Sequence, residues 1–289
     1  MPRTPKPKAN ASQQKPYAKG TSSARYFDSK DAGYARGSRE DPTEKALKQL
    51  FDSLSGGANE LGLEQIAGYA DALGIDANSF ELFVLTDLVK VESMGQITRD
   101  GFVNGWKQFY ESNRRVTPSL ESQKQHIRGC IDQCRSNPEY FKKVYRSAFL
   151  AGKEAGKREM EIPIAFTYWE LLFEPTLRGW RSTHVDFFTH WKEFLRQRFR
   201  SEEKARKDAE KRHAVDPDEP LEVLETDGWT RTISKDLWNQ TLLFAYKTLE
   251  DETLGFWSEE QAWPGLIDDF VVWCKKNGVV KGDGMDVDN

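Results

Sequence analysis

Hydrophobic side chains recur every three or four positions along most of the chain from residue 41 onward. In the first such segment Leu47, Phe51 and Leu54 fall on one helical face, and Asp41 followed by Pro42 is a typical helix start. Runs that alternate between apolar and polar residues, as in a half-buried strand, never exceed a few residues. The pattern therefore predicts an all-α protein whose helices pack against one another.

Further segments carry the same helical period and are separated by polar or glycine-containing connections. We expect Asp76 and Thr98 to cap two of these helices, because each offers a side-chain oxygen to a backbone N–H just before a periodic run. The predicted segments are LGLEQIAGYADAL, DANSFELFVLTDLVK, TRDGFVNGWKQF, LESQKQHIRGCIDQC, PEYFKKVYRSAFLAG, IPIAFTYWELLF, HVDFFTHWKEFLRQRF, SKDLWNQTLLFAYKTLED and WPGLIDDFVVWCKK.

Segments of different composition bound and interrupt the helical pattern. Residues 1–40 are rich in Lys, Arg, Ser, Gly and Pro and predict a disordered basic tail, either a solvated leader or an element for nuclear import or nucleic-acid contact. A charged insert around 200–230 is predicted to be a solvated helical extension. Residues 278–289 are predicted to be a disordered acidic tail. The folded domain is thus expected to span residues 41–277.

Charge and composition narrow the class of protein. The 289 residues carry a net charge of −4, so the overall basic footprint of a dedicated nucleic-acid binder is missing. No apolar run approaches the roughly 18 residues that span a bilayer, and the first residues lack a signal-peptide core. Three cysteines without disulfide-framework spacing are typical of reduced intracellular thiols. We expect a protein of the cytoplasm and nucleus that binds neither nucleic acid nor membrane.

The segment around VESMGQITRDGF has the helix, loop, helix pattern of an EF-hand. With Gly95 as the turn glycine, the metal positions of the loop fall on Lys90, Glu92, Met94 and Gly101. One carboxylate cannot hold Ca²⁺, and the earlier loop GGANELGLEQI also has too few acids. The sequence therefore predicts EF-hand-like helix pairs that do not bind calcium.

The cysteines and histidines form no catalytic or metal-binding pattern. His126, Cys130 and Cys134 lie on one helix face, but the ends of that row are about 12 Å apart at 1.5 Å per residue, too far for side chains that must each lie about 2 Å from one zinc ion. Cys274 has no histidine near it in its motif and is interpreted as structural. We therefore predict no catalytic residue, no metal site and no cofactor.

Two adjacent aspartates, Asp268 and Asp269, interrupt an otherwise apolar helix. In a helix that starts near Pro264, Ile267 and Cys274 can share the buried side, which turns Asp268 about 100° away, toward an edge. Two readings remain open: a general acid–base pair, or an acidic surface patch for a basic partner. The second is more economical, because no further polar partners accompany the two acids.

The C-terminal motifs carry a family resemblance. ISKDLWNQTLLFAYKTLEDE followed by AWPGLIDDFVVW closely resembles the signature of the defective-in-cullin-neddylation family, whose helical core is called the PONY domain. The similarity extends back through HVDFFTHWKEFL and IPIAFTYWELLF to the helix pairs near residue 60. It implies a scaffold-type E3 that holds a neddylation E2 and a cullin together and contributes no nucleophile. Residues 1–40 are too short and polar for the N-terminal ubiquitin-binding domain of several relatives.

The resemblance also implies two binding sites. By motif, the family's cullin-binding residues fall on Asp236, Ala262 and Asp268, which would meet the cullin's C-terminal winged-helix region. The second site is an apolar pocket for the acetylated N-terminal methionine of the E2, because a charged amine is costly to bury. Aligned through the helix pairs, that pocket comprises Leu63, Ile66, Leu82, Leu85, Thr86, Val89, Ile97 and Tyr168.

Alternatives to this interpretation stay open. Each aliphatic residue of the pocket can instead be a core residue, and Thr86, Val89 and Ile97 stand where the family leads us to expect alanine and phenylalanines. An enzyme could use Asp268 with Asp269, or Cys274 as a thioester carrier. A passive cullin adaptor shares every sequence feature. The RING subunit would take part only indirectly, and the expected protein is a monomer because neither binding surface needs a dimer.

Overall fold

The computed structural model describes residues 41–218, 220–260 and 262–280. The predicted basic tail, residues 1–40, lies outside the described residues, as do residues 281–289 of the predicted acidic tail. Of that tail, the described part includes Val280, whose side chain is buried.

Within these ranges the chain forms eleven α-helices and four β-strands of two or three residues, which confirms the all-α prediction. The helices are α1 (Pro42–Ser55), α2 (Leu63–Leu73), α3 (Glu81–Leu88), α4 (Arg99–Ser112), α5 (Leu120–Ser136), α6 (Pro138–Gly152), α7 (Ile162–Leu172), α8 (Phe187–Phe199), α9 (Glu202–Val215), α10 (Lys235–Glu250) and α11 (Gly265–Lys276). The strands are β1 (Glu60–Leu61), β2 (Ile97–Thr98), β3 (Glu159–Glu161) and β4 (Thr232–Ser234).

Side-chain caps fix several helix starts, as the sequence predicted. The Asp41 carboxylate accepts a hydrogen bond from the Thr43 N–H at 3.0 Å, and Thr98 caps α4. The prediction that Asp76 caps a helix was wrong. Its carboxylate accepts from the Asn78 N–H at 2.8 Å within a turn, so α3 starts only at Glu81, because short polar side chains before it favour local turns over helix.

The first four helices form two helix–strand–helix units, α1–β1–α2 and α3–β2–α4. Their strands pair in antiparallel register, with Leu61 opposite Ile97, which joins the two units in the EF-hand-like manner expected. Among the described residues, no group of three or more His, Cys, Asp or Glu side chains could hold a metal ion.

An aromatic core holds together the helices that follow. Trp238 of α10 stacks on Trp169 of α7 with ring centroids 5.2 Å apart and on Tyr145 of α6 at 4.6 Å. The Tyr145 hydroxyl donates to the Trp238 carbonyl at 2.9 Å, so its polar tip is satisfied inside the core. Strands β3 and β4 pair beside this core, with Met160 opposite Ile233. These contacts fix where α10 lies.

The charged insert contains α9, which docks on the domain rather than extending freely into solvent. Ala205 and Ala209 form its buried side. The Arg212 guanidinium donates to both carboxylate oxygens of the buried Asp227 at 2.9 and 3.1 Å. Both of these bonds come from Nη1 of Arg212, and its Nη2 donates to the Glu222 carbonyl at 2.9 Å, so the guanidinium ties α9 to two points of the segment that follows it.

All three cysteines are free and buried, in line with their reading as core residues. The Cys130 sulfur lies 3.4 Å from Nε2 of His126, and burial raises the pKa of the Cys134 thiol to about 12. Of the helices in the described part, none is both long and apolar enough to cross a membrane.

Candidate functional site

The carboxylates of Asp268 and Asp269 point to different partners. Adjacent residues on an α-helix are separated by about 100°, so they face different elements. Oδ2 of Asp269 lies 2.6 Å from the Arg198 guanidinium of α8. Oδ1 of Asp268 accepts a hydrogen bond from the Trp257 indole N–H at 2.8 Å, from the loop between α10 and α11. This arrangement gives each acid its own partner, unlike a catalytic pair that shares one proton.

The buried side of α11 fixes the helix on which Asp268 lies. Ile267, Phe270 and Cys274 are fully buried. The Phe270 ring contacts Trp191 of α8 at 5.0 Å between centroids and Phe244 of α10 at 6.0 Å. Asp268 therefore projects from a helix that is packed on two sides, and its backbone position is rigidly set.

Asp236 lies in the exposed first turn of α10, where a carboxylate is favoured by the helix dipole. The Ser234 hydroxyl caps the same turn by accepting the Leu237 N–H at 3.1 Å. In the described ranges no cationic side chain forms an ion pair with Asp236 or with Asp268. Their negative charge is therefore available to a partner, whereas that of Asp269 is neutralised.

Ala262 is exposed and immediately precedes Trp263. The Trp263 ring contacts Phe244 of α10 with centroids 5.7 Å apart, which ties the segment before α11 to α10. Asp236 lies eight residues before Phe244, about 12 Å along the helix axis. The contact of Trp263 therefore ties the segment that contains Ala262 to the middle of α10, whereas Asp236 lies at the start of that helix.

The predicted E2 pocket separates into core and surface residues. Leu85, Val89 and Ile97 are fully buried, and the Thr86 hydroxyl donates to the Phe83 carbonyl at 3.0 Å. Those four side chains support the pocket region from inside and offer no open surface.

The remaining pocket residues are accessible to different extents. Leu63 is 74% exposed, and one of its methyl groups lies 3.2 Å from the position that a Cβ on Gly95 would occupy. Ile66, Leu82 and Tyr168 are partly buried. Leu63 therefore presents an apolar side chain beside the loop that joins α3 to β2.

A cavity of about 480 Å³ lies next to this region, between the same loop, the end of α6 and α7. Met94 and Ile164 contribute apolar side chains to its lining, but five of its nine lining residues are charged: Glu154, Lys157, Arg158, Glu159 and Glu161. Gly152 also lines it, and a Cβ at Gly152 would lie 2.7 Å from the Tyr168 ring. The sequence analysis missed these residues, although an apolar Met94 in the polar stretch SMGQ was a usable signal.

Tyr168 of α7 links α3 to the end of α6. Its ring packs on Phe83 of α3 with centroids 4.6 Å apart, and its hydroxyl donates to the Ala151 carbonyl at 3.1 Å. Burial raises the pKa of Tyr168 to about 12, so the phenol stays protonated and keeps this hydrogen bond at neutral pH. The Tyr168 side chain is therefore held in place between α3 and α6.

These features define an all-α protein in which Asp236 of α10 and Asp268 of α11 have no ionic partner in the described ranges, and in which a cavity of mixed apolar and charged lining lies beside β3 and α7. A profile of the family described as cullin binding matches residues 122–273. That segment contains Asp236, Ala262 and Asp268, and the chain belongs to this family, the defective-in-cullin-neddylation family that its C-terminal motifs indicated.

Individual relatives agree with the family match. Defective in cullin neddylation protein 1 of Pyricularia oryzae is 34% identical over 91% of this chain and 85% of its own length. The protein of the same name from Mycosarcoma maydis is 27% identical over 75% of this chain and 65% of its own length. DCN1-like protein 3 of Drosophila melanogaster is 24% identical over 86% of this chain and 61% of its own length.

Proposed function

We propose that this protein is a scaffold-type E3 cofactor of cullin neddylation, which binds a cullin through Asp236, Ala262 and Asp268. The observation that carries the proposal is the free charge of two of these residues. Asp236 and Asp268 lie within the family match and have no ionic partner in the described ranges, while their neighbour Asp269 is paired with Arg198. A basic surface on the cullin's winged-helix region would supply the missing cations.

The neddylation E2 would bind at the apolar region around α3. Its acetylated N-terminal methionine is uncharged and can enter an apolar site without the cost of burying an amine. Leu63, Met94 and Ile164 offer apolar contacts there, and the neighbouring cavity of about 480 Å³, whose lining is partly apolar and partly charged, is within the range that holds a small ligand group. The RING subunit would take part through the cullin, without direct contact to this protein.

Such a scaffold accelerates transfer by proximity and orientation, because holding both reactants makes a bimolecular step effectively unimolecular. It needs no nucleophile of its own. The thioester alternative requires an accessible Cys274, but that thiol is fully buried and burial raises its pKa. The acid–base alternative requires Asp268 and Asp269 to share one reaction site, whereas they point to Trp257 and Arg198.

A reconstituted cullin-neddylation time course tests this function, with purified E1, E2, RING subunit and cullin. We expect wild type to raise the rate and Asp268→Ala to lose most of that effect. Losing a charge-assisted contact should weaken cullin binding by about 1–3 kcal/mol.

Asp269→Ala is the matched control and should keep cullin affinity, because its carboxylate is already paired within the protein. Cys274→Ser should also keep full stimulation. A wild type that binds cullin without raising the rate would indicate a passive adaptor instead. Loss of transfer in a folded Cys274→Ser variant would restore the carrier mechanism.

A further inference from the structure

The loop between α10 and α11 is held in one conformation by its own residues. The Asp251 carboxylate accepts hydrogen bonds from the Thr253 N–H at 3.0 Å and from the Thr253 hydroxyl at 2.6 Å. Leu254 has a positive φ of 62° although it is not glycine, and its side chain is fully buried. A bulky residue in this backbone region is strained and persists only where its surroundings dictate it.

This loop carries Trp257 to the carboxylate of Asp268. The backbone N–H of Trp257 donates to the Leu254 carbonyl at 3.1 Å. The residue that carries the indole is therefore anchored to the strained turn. The Trp257 indole N–H then donates to Oδ1 of Asp268 at 2.8 Å. On the ring face, the Lys275 ammonium lies 4.7 Å from the ring centroid and restrains the indole further.

We propose that Trp257 is a positioning residue that holds the Asp268 carboxylate in the orientation required by the cullin. This inference rests on the proposed function, because it concerns the same surface. Within the described ranges this hydrogen bond engages Oδ1, and Oδ2 remains for a lysine or arginine of the partner.

A neutral donor suits this role better than a cation. The indole N–H removes rotational freedom from the Asp268 side chain before binding, so less of that freedom remains to be lost in the complex. It does so without cancelling the carboxylate charge. Arg198 does the opposite at Asp269, where it fixes the side chain and neutralises it. Asp268, which is held by Trp257, therefore offers a partner its negative charge. Asp269, which is held by Arg198, does not.

The test replaces the indole donor and keeps an aromatic ring. Trp257→Phe should weaken binding to the isolated cullin C-terminal region about threefold to tenfold, the effect of having to order one more side chain on binding. Trp273→Phe is the matched control on α11, since its indole N–H donates to Gln197 at 2.9 Å instead, and its affinity should change by less than about twofold. Unchanged affinity of Trp257→Phe would overturn the inference.

A double-mutant cycle separates positioning from a general structural effect. In an Asp268→Ala background, Trp257→Phe should cause no further loss of affinity, because the group it positions is gone. An equal loss in both backgrounds would show that Trp257 acts through something other than Asp268, and the inference would fall.

A measurement on the free protein keeps this inference separate from the proposed function. In ¹H–¹⁵N spectra of full-length protein, Asp268→Ala should move the Trp257 indole resonance and leave that of Trp273 in place. If the Trp257 indole resonance does not move in Asp268→Ala, the hydrogen bond between the two residues is contradicted. If the resonance moves but wild type fails to bind cullin, the proposed function fails and with it the positioning role.

Discussion

At the scale of single residues, the environment of each carboxylate decides its role. Asp268 and Asp269 are adjacent in sequence and identical in chemistry, yet one is fixed by a neutral indole and the other by a guanidinium. Helical periodicity predicted that Asp268 would lie at an edge. It could not identify Arg198, 71 positions earlier, as the partner of Asp269, because pairing across helices depends on how α8 and α11 pack.

Asp251 gives a residue-scale prediction about pH. The hydrogen bond from the Thr253 side chain, together with backbone N–H donors of the same loop, holds the pKa of Asp251 below its ordinary value of 3.8. A carboxyl with a lowered folded-state pKa stabilises the fold above its unfolded pKa, and this contribution is lost as the pH falls through the folded value. Wild type should therefore be more stable than Asp251→Asn at pH 6, and the difference should disappear on acidification below pH 3.8.

Thermal unfolding midpoints of both proteins across that pH range provide the measurement. The Asn side chain keeps the shape and one acceptor oxygen, so the substitution removes the charge and exchanges the second oxygen for an NH2 donor. A gap between the two midpoints that stays constant from pH 6 to the acid limit would contradict this account of the loop.

At the scale of elements, the docking of α9 depends on one glycine. Gly228 has φ +87°, and a Cβ there would lie 2.6 Å from the Ser201 carbonyl oxygen and 2.8 Å from Ala205 Cβ. Gly228→Ala should therefore push α9 away from the domain and cost about 1–3 kcal/mol of unfolding free energy, from backbone strain and overpacking together.

Chemical denaturation of Gly228→Ala and Gly57→Ala checks this prediction. Gly57 has a similar φ of +92° but open space around it, so its substitution measures the backbone strain alone. Equal losses in the two variants would show that α9 does not rely on close approach at Gly228.

Most helices could be predicted from the sequence, because apolar period and capping residues are local signals. The start of α3 could not, since Asp76 and its polar neighbours satisfy their own backbone in a turn. The docking of α9 was missed because its buried side consists of only two alanines and its anchor, Asp227, lies outside the helix. Strands of two or three residues are too short for alternation to be recognised.

At the scale of the whole molecule, the binding surfaces could be predicted only from the family resemblance and not from local sequence patterns. Asp236 lies 26 positions before Ala262 and 32 before Asp268, and only the resemblance grouped the three. In the structure, the contact of Trp263 with Phe244 ties the segment before α11 to α10. For the pocket, sequence alignment could not separate buried support such as Leu85 from accessible residues such as Leu63, because both are leucines on predicted helices.

A scaffold must carry both surfaces on one chain, which a mixing experiment can test. Asp268→Ala should lack the cullin surface, and Leu63→Arg should lack E2 binding, because it places a charge where an apolar contact is needed. Since Leu63 is 74% exposed, the second variant should still fold. An equimolar mixture of the two should stimulate neddylation no better than either alone, because neither chain can hold both partners.

Val215→Arg supplies the control, since Val215 is 84% exposed on α9, remote in sequence from both proposed surfaces. Mixed with Asp268→Ala, it should restore stimulation in proportion to its own concentration, because each Val215→Arg chain keeps both surfaces. Restoration by the Asp268→Ala and Leu63→Arg mixture would mean that the two sites work from separate chains or within a dimer. Proximity on a single chain would then no longer explain the rate, and the monomeric scaffold would have to be abandoned.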